Sequence, residues 1–177
     1  MLLCIDVGNT NVTFGVYKEK ELIYSFRLRT KEIRKNQFNK KIKDDLKSNN
    51  ISIDDIEDII VCSVAPSIDE YIKNLCTKYN KNVHFIDYKF DLGINNMLVN
   101  KSEVGSDIYV GLYAAYEKYN KACLVIDMGT ATTLALIDND KNFYGGIIYP
   151  GVVTSFNYLF RDAEKLGKIK IVDLTDK

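Results

Sequence analysis

The apolar positions of this chain fall into short runs that end in turns, with helical stripes between them. Residues 2–7 form an apolar run ending in Asp-Val-Gly-Asn-Thr, the pattern of a buried strand entering a tight turn. Residues 12–17 and 22–28 read as two more strands, parted by the charged turn Lys18-Glu19-Lys20-Glu21, so the chain opens with a three-stranded meander. Residues 35–48 are polar and lysine-rich, and Phe38, Ile42 and Leu46 are spaced by four, which predicts an exposed helix with one apolar stripe. Residues 56–64 are a further buried strand. Pro66 suits the first turn of a helix reaching Tyr79, and residues 83–86 form a short strand. A helix is expected over 103–119 with Ser102 as its N-cap, then strands over 123–127, 132–137 and 143–148, and a helix over 155–166. This mixed order of strands and helices predicts an α/β layer fold rather than a bundle or a sandwich.

Composition narrows the function classes. Hydrophobic residues make up 46% and charged residues 27% of the 177, enough for a core and for a solvated surface. The 24 basic residues balance 24 acidic ones, so charge offers no case for nucleic acid or an anionic membrane as partner. The tyrosines are scattered and build no stacking platform. A carboxylate at Asp6 argues against a signal peptide, and no apolar run approaches the ~20 residues of a membrane span, so a cytoplasmic protein is expected. Cys4, Cys62, Cys76 and Cys123 lack metal-ligand spacing and read as reduced core residues. The lone His84 reads as structural or exposed, and the lysines of residues 31–47, interleaved with Glu32, Asp44 and Asp45, read as a solvated helix face.

The chemistry lies in a repeat. Leu3-Cys4-Ile5-Asp6-Val7-Gly8-Asn9-Thr10 aligns with Leu124-Val125-Ile126-Asp127-Met128-Gly129-Thr130-Ala131, sharing Leu, Ile, Asp and Gly. Each copy starts a strand, turns, and runs into a second strand, which predicts duplicated subdomains facing each other across a cleft. A single Asp-x-Gly at a strand end is ordinary turn chemistry; two copies followed by hydroxyl residues point to a shared ligand. Glycine lets backbone N–H groups approach a phosphate, and Thr10, Asn11, Thr130 and Thr132 can add side-chain hydrogen bonds. Asp6 and Asp127 can hold cations that offset phosphate charge. Neither a Walker P-loop nor a Gly-x-Gly-x-x-Gly fingerprint is present. Gly145-Gly146 reads as a close backbone approach to ligand, and Pro150-Gly151 as a helix start whose N-terminus can face an anion.

Taken in order, the motifs resemble those of the type III pantothenate kinase family, within the acetate/sugar kinase, Hsp70 and actin superfamily. The first phosphate loop is Asp6-Val7-Gly8-Asn9-Thr10-Asn11, followed by Phe26-Arg27-Leu28-Arg29-Thr30 and Ser63-Val64-Ala65-Pro66. Glu103-Val104-Gly105-Ser106-Asp107 with Ala114-Ala115 is similar to the substrate-site helix, Asp127-Met128-Gly129-Thr130-Ala131-Thr132 to the second phosphate loop, and residues 145–151 to the late glycine-rich block. The resemblance implies duplicated ribonuclease H-like subdomains with mixed sheets, residues 1–104 and 105–177, around an interdomain nucleotide cleft. It also implies transfer of phosphate from ATP to pantothenate, giving 4'-phosphopantothenate at the opening of coenzyme A synthesis, by a homodimer. Carried over by position, Asp6, Val7, Gly8, Asn9, Thr10, Asn11, Val12, Thr13 and Thr130 would bind ATP, with Asp6 beside magnesium. Asp127 would hold a monovalent cation, potassium or ammonium. Asp107 would be the general base, and Gly105, Ser106, Asp107 and Ile108 would line the pantothenate site.

Three departures fall on the acceptor side. Ile108 stands where the family has the arginine of its Gly-x-Asp-Arg motif, and Leu98 and Lys101 stand where it has a Tyr and a Pro. The chain also stops before the family's last glycine- and threonine-containing block, so the second subdomain is expected to lack closing helices and to expose apolar surface. The nucleotide side matches throughout. The alternative expectation is therefore a non-catalytic relative that binds nucleotide or ligand, or an inactive fragment.

Overall fold

The computed structural model describes residues 1–33 and 38–162. Two sheets carry the fold. In the first, β1 (Leu2–Val7) pairs antiparallel with β2 (Asn11–Lys18), which pairs antiparallel with β3 (Glu21–Arg29). On its other side β1 pairs parallel with β4 (Asp58–Ser63), and β4 pairs parallel with β5 (Asn82–Ile86), so the order is β3-β2-β1-β4-β5. Between these strands lie α1 (Thr30–Ile33), α2 (Phe38–Ser48) and α3 (Pro66–Lys78). The second sheet has the order β6-β9-β8-β7, from β6 (Asn95–Asn96), β7 (Cys123–Met128), β8 (Ala131–Ile137) and β9 (Asn142–Pro150). Helix α4 (Ser106–Tyr119) joins the sheets and α5 (Val152–Asp162) follows β9.

Strand alternation decides which side chains serve the core and which the site. On β1, Leu3, Ile5 and Val7 are buried together with Val12, Phe14 and Val16 of β2, and they meet Ile42 and Leu46 of α2 and Ile68, Ile72 and Leu75 of α3 in the first core. Cys4 and Asp6 alternate to the opposite face. The second core is much smaller: Tyr109 and Leu112 of α4 pack with Ala135, Ile137 and Phe143. The sheets differ in a further respect. The first continues past β1 into β4 and β5, whereas among the described residues no strand pairs with the outer edge of β7. The face of this sheet away from α4 carries Leu124, Ile126 and Met128 of β7, Leu136 of β8 and Ile147 of β9, all exposed. The expected apolar surface is present.

Several element boundaries depart from the sequence pattern. The helix expected from residue 103 starts at Ser106 with Gly105 as N-cap, because Asn100 captures the Ser102 N–H in a separate 3₁₀ turn, Lys101–Glu103, and Val104 is extended. Residues 56 and 57 stay outside β4; Ile56 instead ends a 3₁₀ turn capped by Ser52. Helix α5 begins at Val152 rather than Ser155, and residues 163–166 of that expected helix lie outside the described residues, as does the 35–37 start of the lysine-rich helix. The Gly145-Gly146 pair has a role within the sheet. Gly145 takes φ of +131°, the space where a Gly146 Cβ would stand is filled by the Leu134 carbonyl, and a bulge follows at Ala135–Ile137. All four cysteines are free, but only Cys76 is buried in the core; Cys4, Cys62 and Cys123 are half-buried. His84 is exposed on β5, 3.6 Å from Asp58. Among the described residues no helix is long and apolar enough to cross a membrane.

Candidate functional site

The sequence repeat is a structural repeat. Asp6 pairs with Thr13 across the first hairpin, and Asp127 pairs with Thr133 across the second. Each turn is closed by its glycine: Gly8 N–H donates to the Asn11 carbonyl and Gly129 N–H to the Ala131 carbonyl, both at 2.9 Å. The second turn is one residue shorter, and Thr130 is the residue that meets the first turn. Its Oγ1 lies 2.8 Å from Thr10 Oγ1.

Each loop is also pinned from behind by the element that follows its third strand. Thr30, buried at the start of α1, donates its hydroxyl to the Gly8 carbonyl at 2.8 Å and its N–H to the Thr10 carbonyl at 3.0 Å. At the second loop, Gly151 N–H and Thr154 Oγ1 both donate to the Thr130 carbonyl at 2.9 Å. The Phe26–Thr30 block thus includes the residue that clamps the first loop.

A cleft of about 360 Å³ opens between the loops. Asp6, Gly8, Asn9, Thr10, Asn11 and Thr13 line it from the first sheet, Asp127, Gly129 and Thr130 from the second, and Asp107 from the first turn of α4. Val7 and Val12, which flank the same loop, are fully buried in the first core and are not part of the cleft lining. The Asp107 carboxylate accepts the Ile108 N–H at 2.8 Å, and a helix N-terminus favours negative charge there.

The remaining residues expected at the acceptor site are outside the cleft lining. Ser106 is buried and stitches α4 to β4: its hydroxyl accepts the Ser63 N–H at 3.1 Å and donates to the Ser63 carbonyl at 2.8 Å. Ile108 packs against the second core, and Gly105 caps α4. Beside the cleft, an apolar hollow of about 540 Å³ shares Asp6 and Thr13 with it and runs under Val110 and Tyr113 over Cys4, Gly15 and Cys62. A larger hollow of about 790 Å³, lined by Met1, Lys18, Glu19 and Asp54, lies at the opposite end of β1 and has none of the repeat residues.

The electrostatics of the cleft show at Asp6. Asp6 is open to solvent, yet the protein around it, followed by the charges of Asp107 and Asp127, pushes its carboxyl above the ordinary aspartate range; Arg27 opposes that rise. Burial likewise pushes the Cys62 thiol up to about 11, so it is a poor nucleophile at neutral pH. A cation beside Asp6 would relieve the repulsion that Asp107 and Asp127 exert on it. Among the described residues no three ligands converge closely enough to hold one alone. One or two carboxylates with phosphate and water completing the shell is how magnesium is commonly held beside nucleotides, so the donor set fits that use.

Sequence patterning missed two residues here. Thr30 was part of a block without an assigned role, and its hydrogen bonds come from the turn into α1. Arg27 lines the cleft because β3 pairs with β2 in the register Thr13–Arg27.

Comparison with known proteins agrees with this architecture. A family model described as Type III pantothenate kinase matches residues 2–176. A type III pantothenate kinase of Exiguobacterium sibiricum is 38% identical over 173 residues, which are 97% of this chain and 68% of that protein. One from Agathobacter rectalis is 39% identical over 173 residues, 97% of this chain and 66% of that protein, so the chain spans about two thirds of the length of these relatives. Among solved structures, the ethanolamine utilization protein EutJ from Carboxydothermus hydrogenoformans superposes with a TM-score of 0.52 at 11% identity, covering 93% of this chain and 57% of that one. The fold is thus mixed α/β with two mixed sheets, a fold similar to that of EutJ.

Proposed function

The chain belongs to the type III pantothenate kinase family, and from that premise we propose that its cleft transfers the terminal phosphoryl group of ATP to the primary hydroxyl of pantothenate. The observation that carries the reading is the meeting of two glycine turns and the carboxylates Asp6, Asp107 and Asp127 at one cleft.

Phosphoryl transfer asks the protein mainly for positioning and charge neutralisation. The N–H groups of Asn9, Thr10 and Thr130 and the hydroxyls of the two threonines hold the phosphates from opposite sides, on turns that Gly8 and Gly129 close. Asp107 accepts the acceptor's hydroxyl proton as that oxygen bonds to the terminal phosphorus and the bond to the ADP oxygen breaks. Asp6 would hold magnesium and Asp127 a potassium or ammonium ion, and these ions would supply charge neutralisation. The adjoining apolar hollow suits the branched aliphatic part of pantothenate. The duplicated subdomains, divided as 1–104 and 105–177, and a homodimer complete the proposal.

A second reading is favoured by Ile108, which packs against the second core and offers no cation to the acceptor's carboxylate. In that reading the chain binds nucleotide and transfers nothing.

Mass-spectrometric detection of phosphopantothenate, from the purified chain with ATP, magnesium and pantothenate, separates the two. The kinase reading expects product that rises when potassium is added. Nucleotide binding without product in either salt sinks it in favour of the binder. With Ile108 in place of an arginine, the alcohol analogue of pantothenate should be phosphorylated about as well as pantothenate itself.

A further inference from the structure

Among the described residues, the cleft lining contains one cation. Arg27 stands on β3 in a cross-strand row with Asp6: Asp6 is opposite Thr13, and Thr13 is opposite Arg27. Residues directly opposite one another share a face of the sheet, so all three present to the cleft. Neither phosphate loop contains a lysine, and among the described residues no lysine lines the cleft. Arg27 is exposed, and none of the ion pairs among the described residues uses it. Thr13 stands between it and Asp6 in this row, and Arg27 lines the same cleft as Asp6, Asp107 and Asp127.

We infer that Arg27 is the phosphate-binding cation of this cleft, its guanidinium receiving two oxygens of the terminal phosphate of the bound nucleotide. The inference rests on the phosphotransferase reading above and goes beyond it. A terminal phosphate brings further negative charge to a lining that already holds Asp6, Asp107 and Asp127. Backbone N–H groups from two turns supply only partial charges, and Arg27 supplies a full one. Its planar fork matches phosphate oxygens two at a time, which a lysine cannot do.

The order of elements places this group at the phosphate end of the cleft. Along the sheet the sequence is β3, β2, β1, β4, and the N-terminus of α4, with Asp107, is tied to β4 through Ser106 and Ser63. Arg27 and the proposed base are therefore on opposite sides of Asp6. An acceptor hydroxyl at Asp107 and a phosphate at Arg27 follow from that arrangement.

The test is calorimetric titration of the full chain with ATP and with ADP in magnesium, for wild type, Arg27→Ala, Arg27→Gln and Arg27→Lys. Because Arg27 is exposed, the variants should keep the wild-type melting temperature, and Arg27→Gln retains a long polar side chain should Arg27→Ala fold poorly. The expected result is that ATP affinity falls roughly tenfold or more in Arg27→Ala and Arg27→Gln while ADP affinity holds, with partial recovery in Arg27→Lys. Turnover of the Ala variant should drop by about 10²–10³, the range seen when one preorganised donor is removed from a developing charge. Unchanged ATP-over-ADP preference in both neutral variants, beside a wild type that binds nucleotide, overturns this inference alone. A wild type that binds neither nucleotide overturns it together with the proposed function. Unchanged nucleotide affinity with a raised KM for pantothenate assigns Arg27 to the acceptor carboxylate and overturns it as well.

Discussion

Thr10 and Thr130 are 120 residues apart in sequence and 2.8 Å apart at their hydroxyl oxygens. Each sits at the tip of one copy of the repeat, and each has its backbone carbonyl held from behind, Thr10 by the Thr30 N–H and Thr130 by Gly151 and Thr154. The contact is therefore made between two braced turns. It sets the width of the cleft at the point where the phosphates are expected.

Removing this contact should be felt more in binding than in folding. Both hydroxyls are exposed, so a double-mutant cycle of Thr10→Ala and Thr130→Ala should give a coupling of about 0.5 kcal/mol in thermal or urea unfolding. The same cycle read by nucleotide titration should show each single variant losing affinity, because each turn then loses both its partner and a phosphate donor. Singles that bind nucleotide like wild type would remove the two hydroxyls from the site.

Asp107 can be tested without disturbing its helix. Its carboxylate accepts the Ile108 N–H, and asparagine keeps an oxygen for that bond. Asp107→Asn should therefore retain nucleotide affinity and melting temperature while turnover falls by about 10²–10⁴. A Cβ at Gly105 would run into the Asp107 carboxylate. Gly105→Ala should accordingly lower kcat by displacing the base, with a smaller effect on KM for ATP.

Gly151 is a position where backbone meets backbone. A Cβ there would strike the carbonyl oxygens of Gly129 and Thr130, which cannot rotate aside as a side chain would. Gly151→Ala should cost about 1–3 kcal/mol in chemical denaturation and abolish measurable nucleotide binding. Retained stability with full nucleotide binding would show that the second loop does not need its close approach to α5.

The raised carboxyl of Asp6 gives a pH signature. Its causes are partial desolvation first, then Asp107 and Asp127, with Arg27 opposing them. A carboxyl whose pKa is higher folded than unfolded takes up protons on folding. Its favourable contribution is complete below the ordinary value of 3.8 and is lost as pH rises through the raised value. At neutral pH, Asp6→Asn should therefore melt above wild type, and the gap should close as the pH is lowered toward 3.8. Magnesium should narrow the gap at neutral pH by offsetting the same repulsion. An Asn variant that melts at or below wild type at neutral pH contradicts the charge-repulsion account.

Much of this was legible in sequence for a physical reason. Two apolar strands ending in Asp-x-Gly are a local pattern, and local patterns survive without knowledge of packing. The pairing of Asp6 with Thr13 and of Asp127 with Thr133 follows directly from such hairpins. What sequence did not show depends on register between distant elements. Arg27 reaches the cleft only because β3 meets β2 at Thr13, and Thr30 clamps Gly8 only because α1 begins where β3 ends. The Ser102 cap failed for a different reason: Asn100, two residues earlier, takes both the Ser102 N–H and the Ser102 hydroxyl and so caps a separate turn. Gly145-Gly146 has a ligand-loop composition, and its position opposite Ala135 in a sheet is visible only in three dimensions.

The unequal cores of the two sheets bear on how the cleft behaves as a receptor. Asp6 and Thr10 stand on the larger core, whereas Asp127 and Thr130 stand on a hairpin whose outer edge and one face meet solvent. A ligand that bridges the turns binds only the state in which both are assembled, so by linkage its presence adds to the stability of the weaker hairpin. Reciprocally, the affinity observed for that ligand is the intrinsic one scaled by the fraction of molecules with the second hairpin in place. Under the proposed function, nucleotide affinity would then be as much a property of the Leu124–Met128 edge as of the residues proposed to touch phosphate: a partner surface that covered that edge would tighten nucleotide binding without contacting the nucleotide.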